Sequence, residues 1–145
     1  MLARFCLSLF AFFFLSMQAQ AEVSQDFAGQ WRITVANDED ATFSGTAQVV
    51  YNPETEDFEI TLIMQDACCD GNFARVRQSS VATDYNGRIL IRSEIEEFLE
   101  KREPNPGVEY VADDFLLGWE SPDRLIGMCS GGLPVIWTRT TSGLV

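Results

Sequence analysis

The chain contains no histidine. Histidine is the commonest general base near neutral pH and the commonest metal ligand. Its absence therefore excludes Ser-His-Asp and Cys-His catalysis in their standard forms, together with histidine-ligated zinc or haem. No other set of acidic and basic groups in the sequence forms a recognisable catalytic pattern. We expect a protein that is not an enzyme and that has no catalytic residue, metal ion or cofactor.

Lysine and arginine are scarce, with 10 such residues against 22 aspartates and glutamates and a net charge of −12. A surface of this sign repels the phosphate backbone of nucleic acids and the headgroups of anionic lipids. Nucleic acid is therefore not expected as a partner. The acidity is better explained by solubility than by a dedicated recognition surface.

Long apolar runs are absent after the first 21 residues. At the start, Arg4 precedes the apolar run Phe5–Leu15, and Ala19-Gln20-Ala21 has the small-x-small form that signal peptidase cuts. The run is shorter than the roughly 20 residues that a membrane-spanning helix needs. We predict a signal peptide at 1–21 and one mature domain at 22–145, which has no membrane span and is exported to the periplasm or secreted. Removing the signal from the 145-residue chain leaves 124 residues with a net charge of −13.

Cysteines are also few, since Cys6 lies in the predicted signal and only Cys68, Cys69 and Cys129 remain. An oxidising compartment favours pairing of two of these three. Neighbouring cysteines rarely bond each other because the ring is strained, so we expect Cys129 to pair with either Cys68 or Cys69. Aspartates flank the cysteine pair and disfavour a reactive thiolate, which makes a structural disulfide a better interpretation than redox catalysis.

Alternating apolar and polar residues dominate the mature sequence and predict strands. Trp31, Ile33 and Val35 show the pattern first, and Asn86-Gly87 predicts a two-residue hairpin turn. Residues 93–102 fit two interpretations: a capping box at Ser93 opens a short helix near 94–102, or the strand before it continues. The other predicted extended segments are Thr42–Tyr51, Phe58–Met64, Phe73–Thr83, a strand from Ile89, Val108–Val111, Asp114–Glu120, Arg124–Ser130 and Pro134–Thr140.

About eight strands joined mostly by short turns predict an all-β domain. A closed, antiparallel up-and-down barrel is favoured over a sandwich because closure removes exposed strand edges.

Gly29-Gln30-Trp31 on the first strand and Thr138-Arg139 on the last resemble the lipocalin and wider calycin pattern. The resemblance implies a small β-barrel in which the indole of Trp31 packs across one end. It also implies that the guanidinium of Arg139 lies over that indole as a cation–π contact. On this interpretation Gly29, Trp31 and Arg139 are structural residues.

Two functional hypotheses follow. In the first, the protein is an exported, non-enzymatic binding protein that holds a small apolar ligand in the barrel. The alternative is an extracytoplasmic interaction or inhibitor module with a closed core, whose partner is an envelope protein and whose acidic loop at Cys68–Asn72 is fixed by the disulfide. The competing interpretation of the tryptophans is that they are core residues. The candidate residues for the ligand cavity are Trp31, Phe43, Phe58, Met64, Trp119 and Trp137.

Overall fold

The computed structural model describes residues 22–35, 43–68 and 71–141. The predicted signal peptide and Cys69 lie outside these described residues. A single 3-10 turn, Gln25–Phe27, precedes the strands. The eight strands are β1 Gly29–Val35, β2 Phe43–Asn52, β3 Asp57–Cys68, β4 Asn72–Tyr85, β5 Arg88–Arg102, β6 Phe115–Ser121, β7 Arg124–Cys129 and β8 Pro134–Arg139.

Each strand pairs antiparallel with the next, and β8 pairs with β1, so the sheet closes into an up-and-down barrel. This confirms the predicted fold class. The apolar and polar residues that alternate in the sequence point alternately into and out of the barrel. Trp31 and Ile33 are buried inside, whereas Arg32 between them is exposed. Buried apolar side chains from seven of the strands form one core, and the half-buried Ala82 of β4 packs against it.

Of the two interpretations of residues 93–102, the continued strand is confirmed and the short helix near 94–102 is wrong, because β5 continues to Arg102. Two register irregularities in the β4–β5 pairing explain the misleading pattern. The partners of β4 pass from Ile95 to Glu97 and from Phe98 to Glu100, so one residue is skipped at each point. Each such β-bulge breaks the period of two, and the resulting apolar spacing imitates that of a helix.

The segment between β5 and β6 also departs from expectation, since the predicted extended stretch Val108–Val111 is not a strand. Tyr110 from this segment instead contacts Gln78 and Asp113. In the described part of the chain, no helix has the length and apolar character needed to cross a membrane.

The barrel has two different ends. We call the end where β1 begins and β8 finishes the floor, and the end where β3 passes into β4 the upper end. The 3-10 turn lies at the floor, and the segment between β5 and β6 lies at the upper end.

Candidate functional site

The floor is closed by the short turn before β1. Ser24 caps this turn by accepting a hydrogen bond from the amide of Asp26 at 3.2 Å. The turn places Phe27 inside the barrel, where it is fully buried. Its ring centroid lies 6.1 Å from those of Trp31 and Trp137 and 5.5 Å from that of Phe58. The floor is therefore a packed aromatic plug.

Arg139 seals the plug from outside. Its guanidinium carbon lies 4.3 Å from the ring centroid of Trp31, and the two residues are paired across β1 and β8. The guanidinium donates to the carbonyls of Ala28 at 2.8 Å, Asp26 at 2.6 Å and Pro122 at 3.1 Å. The structure thus contains the contact between indole and guanidinium that the resemblance implied.

Gly29 makes this arrangement possible. Its φ of 138° lies in a region that side-chain-bearing residues rarely adopt, and a Cβ here would lie 2.6 Å from Nη1 of Arg139. Only glycine lets the guanidinium approach the backbone this closely.

The six residues predicted to line a cavity do not share one environment. Trp31, Met64 and Trp137 are fully buried core residues. Phe43 and Phe58 are half-buried and pack against that core. Trp119 differs, because 37% of its surface is exposed.

None of the five clefts described on the barrel has Trp31, Met64 or Trp137 as a wall. The indole N–H of Trp137 is buried, with no hydrogen-bond acceptor among the described residues. These three side chains belong to one buried core cluster, and none of the five clefts is bounded by all six predicted residues.

The most voluminous of these clefts lies outside the barrel, beside the plug, with a volume of about 870 Å³. Trp119 forms one wall of this floor cleft, and its ring is supported from behind by Trp31 at a centroid distance of 5.9 Å. The remaining wall is mostly polar and comes from the 3-10 turn with its flanking residues, from the β6–β7 turn and from β8: Ser24, Gln25, Asp26, Ala28, Glu120, Ser121, Pro122, Asp123 and Arg139.

Charges around the floor cleft are partly paired. Glu120 forms an ion pair with Arg124, in which Oε2 and Nε are 2.8 Å apart. Oδ1 of Asp123 lies 3.3 Å from Nε of Arg139. Because Arg139 is already bound to three carbonyls and the indole, its guanidinium has little capacity left for a ligand. Trp119 therefore offers the main apolar contact surface in this cleft.

The upper end contains a buried polar network that sequence reasoning missed. Nε2 of Gln78 donates to Oδ2 of Asp113 at 2.7 Å and to the hydroxyl of Tyr110 at 3.1 Å, and the amide of Asp113 donates back to Oε1 of Gln78 at 2.8 Å. The hydroxyl of Tyr110 also donates to Oδ2 of Asp113. The sequence held one signal: Gln78 occupies an inward position of β4 where the alternation calls for an apolar residue.

Burial dominates the electrostatics of this network. It raises the pKa of the Tyr110 hydroxyl, and the neighbouring carboxylate of Asp113 raises it further. Burial also raises the pKa of Asp113, although the hydrogen bonds from Tyr110 and Gln78 oppose the shift. A raised carboxyl pKa and a raised phenol pKa both mean that the network favours neutral groups.

Cys129 is a buried, free cysteine, so the predicted bridge from it to Cys68 or Cys69 is not found. For Cys68, the last residue of β3, the topology supplies a reason, because β7 and β3 lie four strands apart in a ring of eight and therefore face each other across the core. A disulfide needs Cα atoms within about 7 Å, which is shorter than the width of a filled eight-stranded barrel. Burial raises the pKa of the Cys129 thiol, which lowers its reactive thiolate fraction. The side chain of Cys68 lies outside the described structure.

No family model and no curated protein matches the chain. Among solved structures, the chain is similar to a de novo designed fluorescence-activating β-barrel, with 18% sequence identity and a TM-score of 0.44. The match covers 80% of this chain and 95% of that chain. These comparisons identify no family, and membership of the lipocalin family stays a prediction.

Proposed function

We propose that this protein is an exported, non-enzymatic binding protein that holds a small molecule with an apolar or aromatic face against Trp119 in the floor cleft. The observation that carries the proposal is an indole 37% exposed in the wall of a cleft of about 870 Å³. Ligand pockets typically enclose about 300–1,000 Å³ and combine apolar walls with a few polar groups.

The support behind Trp119 favours binding. The indole packs on Trp31, which is itself held by its own hydrogen bond to the carbonyl of Phe27 at 3.0 Å and by the guanidinium of Arg139. A rigid aromatic side chain loses little conformational entropy when a ligand binds, so a supported indole is a better contact than a mobile one. Large aromatic residues of this kind carry much of the binding energy in known interfaces.

The test uses the mature protein labelled with ¹⁵N, whose three tryptophans give three indole N–H signals. Indole serves as a neutral probe and tryptamine as a cationic one. We expect one or both probes to shift the Trp119 signal and to leave those of Trp31 and Trp137 in place. The proposal is wrong if neither probe moves the Trp119 signal.

A pair of variants sharpens this test. Trp119→Ala should weaken probe binding about tenfold or more, since it removes the main apolar contact. Tyr85→Ala, at a 53% exposed aromatic residue of β4 that does not line the cleft, should leave binding unchanged. Equal loss in both variants would indicate nonspecific binding.

The packed interior also favours the second candidate, an interaction module with a closed core. Native mass spectrometry of the protein purified from its own export route separates the two functions. A small molecule that is retained by the wild type and lost in Trp119→Ala supports the binding protein. A protein partner retained equally by both forms supports the module.

A further inference from the structure

An apolar groove with a cationic edge crosses the outer surface of β6, β7 and β8. It has a volume of about 590 Å³ and lies on the opposite side of the barrel wall from the core. Its apolar walls include Ile126 and Met128, which are 43% and 53% exposed although both are large hydrophobic residues. The remaining apolar lining comes from Leu116, Trp119, Val135, Ile136 and Pro134.

Gly118 forms the bottom of this groove. It lies between Arg88 on β5 and Ile126 on β7, because β6 pairs Leu117 with Ile89 and Gly118 with Ile126. A Cβ built at Gly118 would meet only the carbonyl of Ile126 at 4.0 Å, so the space above it is open. A missing side chain among large apolar neighbours is what creates the depression.

The charge of the groove is opposite to that of the protein. Its charged lining residues are Arg88, Arg124 and Glu120, which give a net charge of +1 on a chain whose net charge is −12. Arg124 is paired with Glu120 at 2.8 Å. Among the described residues Arg88 has no ion-pair partner, and its guanidinium is therefore available at the edge of the groove.

We propose that this groove binds a single-chain amphiphile with an anionic headgroup, with the chain lying over Gly118 toward β8 and the headgroup on Arg88. The path from β5 to β8 crosses three strand spacings of about 4.8 Å, or roughly 14 Å, which suits a medium-length alkyl chain. A free, monomeric amphiphile is the occupant rather than a bilayer, because the acidic remainder of the surface repels anionic membranes. This site is distinct from the floor cleft, although Trp119 and Glu120 line both.

Three probes with the same alkyl chain test the headgroup: decanoate, decanol and decyltrimethylammonium, each kept monomeric. We expect decanoate to bind at least about tenfold more tightly than the other two, since a charge-assisted contact of a guanidinium with a carboxylate is a strong one. Binding should shift the Nε–H signal of Arg88 and the amide signal of Gly118. Equal affinity for decanoate and decanol would overturn the proposal, and so would binding to anionic vesicles alone.

Two variants locate the site. Arg88→Gln should reduce decanoate affinity to that of decanol while leaving decanol unchanged. Gly118→Leu should fill the groove and abolish binding of decanoate and decanol. If this variant does not fold, Gly118→Ala replaces it, and it should weaken binding of both probes to a smaller extent. Gly107→Leu is the matched control, because Gly107 lies outside the groove and a Cβ there has room, with its nearest atom at 3.7 Å. Decanoate binding that survives in both Gly118→Ala and Arg88→Gln at wild-type affinity would place the ligand elsewhere. Failure here leaves the floor cleft untouched, since that site is tested with indole and tryptamine and not with an alkyl chain.

Discussion

The two ends of the barrel are closed by different chemistry. At the floor, an aromatic plug of Phe27, Trp31 and Trp137 is held by one guanidinium that binds three backbone carbonyls. At the upper end, the buried groups are Gln78 and Asp113, which bind each other through side-chain hydrogen bonds with Tyr110 as third member.

The comparison shows that the stability of an apolar closure and that of a polar closure depend on different numbers of contacts. Each aromatic ring of the floor touches several others, so the stabilisation is spread over many contacts. The upper network depends on a few directional bonds, and removal of one partner leaves a buried donor or acceptor unpaired. The two ends should therefore respond differently to substitution.

The largest effect is expected from removing the guanidinium at the floor. Arg139→Ala deletes the cation–π contact and leaves the carbonyls of Ala28, Asp26 and Pro122 without their charged donor. We expect the free energy of unfolding in urea to fall by about 3 kcal/mol. Arg124→Ala, whose side chain is more exposed and makes one surface ion pair, should cost less than about 1 kcal/mol. Similar losses for both arginines would contradict the special role of Arg139.

A smaller effect is expected at the upper end from Gln78→Leu, which keeps the side-chain volume and removes the hydrogen bonds. The amide and carboxylate of Asp113 lose partners in a buried site, and we expect a loss of about 2 kcal/mol in urea unfolding. Gln65→Leu, at an exposed position of the adjacent strand, should change stability by about 0.5 kcal/mol or less. A Gln78→Leu protein as stable as wild type would show that the network contributes no net stability.

The smallest effect is a pH dependence. Because the pKa of Asp113 is raised in the folded protein, the folded state holds this proton more tightly than the unfolded state does. The associated stability is present below the unfolded pKa and is lost as the pH rises through the folded pKa. The wild type should therefore lose stability relative to Asp113→Asn as the pH rises from about 4 to about 8, because only the wild type carries the carboxyl group that loses its proton.

Urea unfolding across that pH range measures this trend. Asp57→Asn, at an exposed position next to a turn, controls for the loss of one carboxylate. A constant difference between wild type and Asp113→Asn at every pH would contradict the direction of the shift.

Much of the barrel could be predicted because its wall follows a period of two, as in Trp31 and Ile33 on β1. The sequence left helix and strand open around Ile95, Phe98 and Leu99, where bulges break that period. The prediction of an extended segment at Val108–Val111 was wrong. A bulge depends on how the partner strand is aligned, and the segment between β5 and β6 depends on contacts with distant residues. Neither is encoded in local alternation.

The sites show the same limit. Gly29, Trp31 and Arg139 were predictable as a group because one motif and one terminal cation carry their geometry. The exposure of Trp119 was not, since the sequence does not reveal that β6 leaves the core after Leu117. The groove at Gly118 depends on side chains from four strands, β5 to β8. The expected disulfide of Cys129 is not found in the described structure, and sequence spacing alone gives no position around the ring.

Closure of the strand ring also brings the two ends of the described domain together. The amide of Thr140 donates to the carbonyl of Gln30 at 2.9 Å, and Arg139 reaches the carbonyl of Asp26. A short flexible linker would therefore join the end of β8 to the segment before β1. The exposed turn at Asn86-Gly87 provides a place for new termini. The domain is thus suited to circular permutation, in which β5 would open the chain and the present first and last strands would become neighbours in sequence as well as in space.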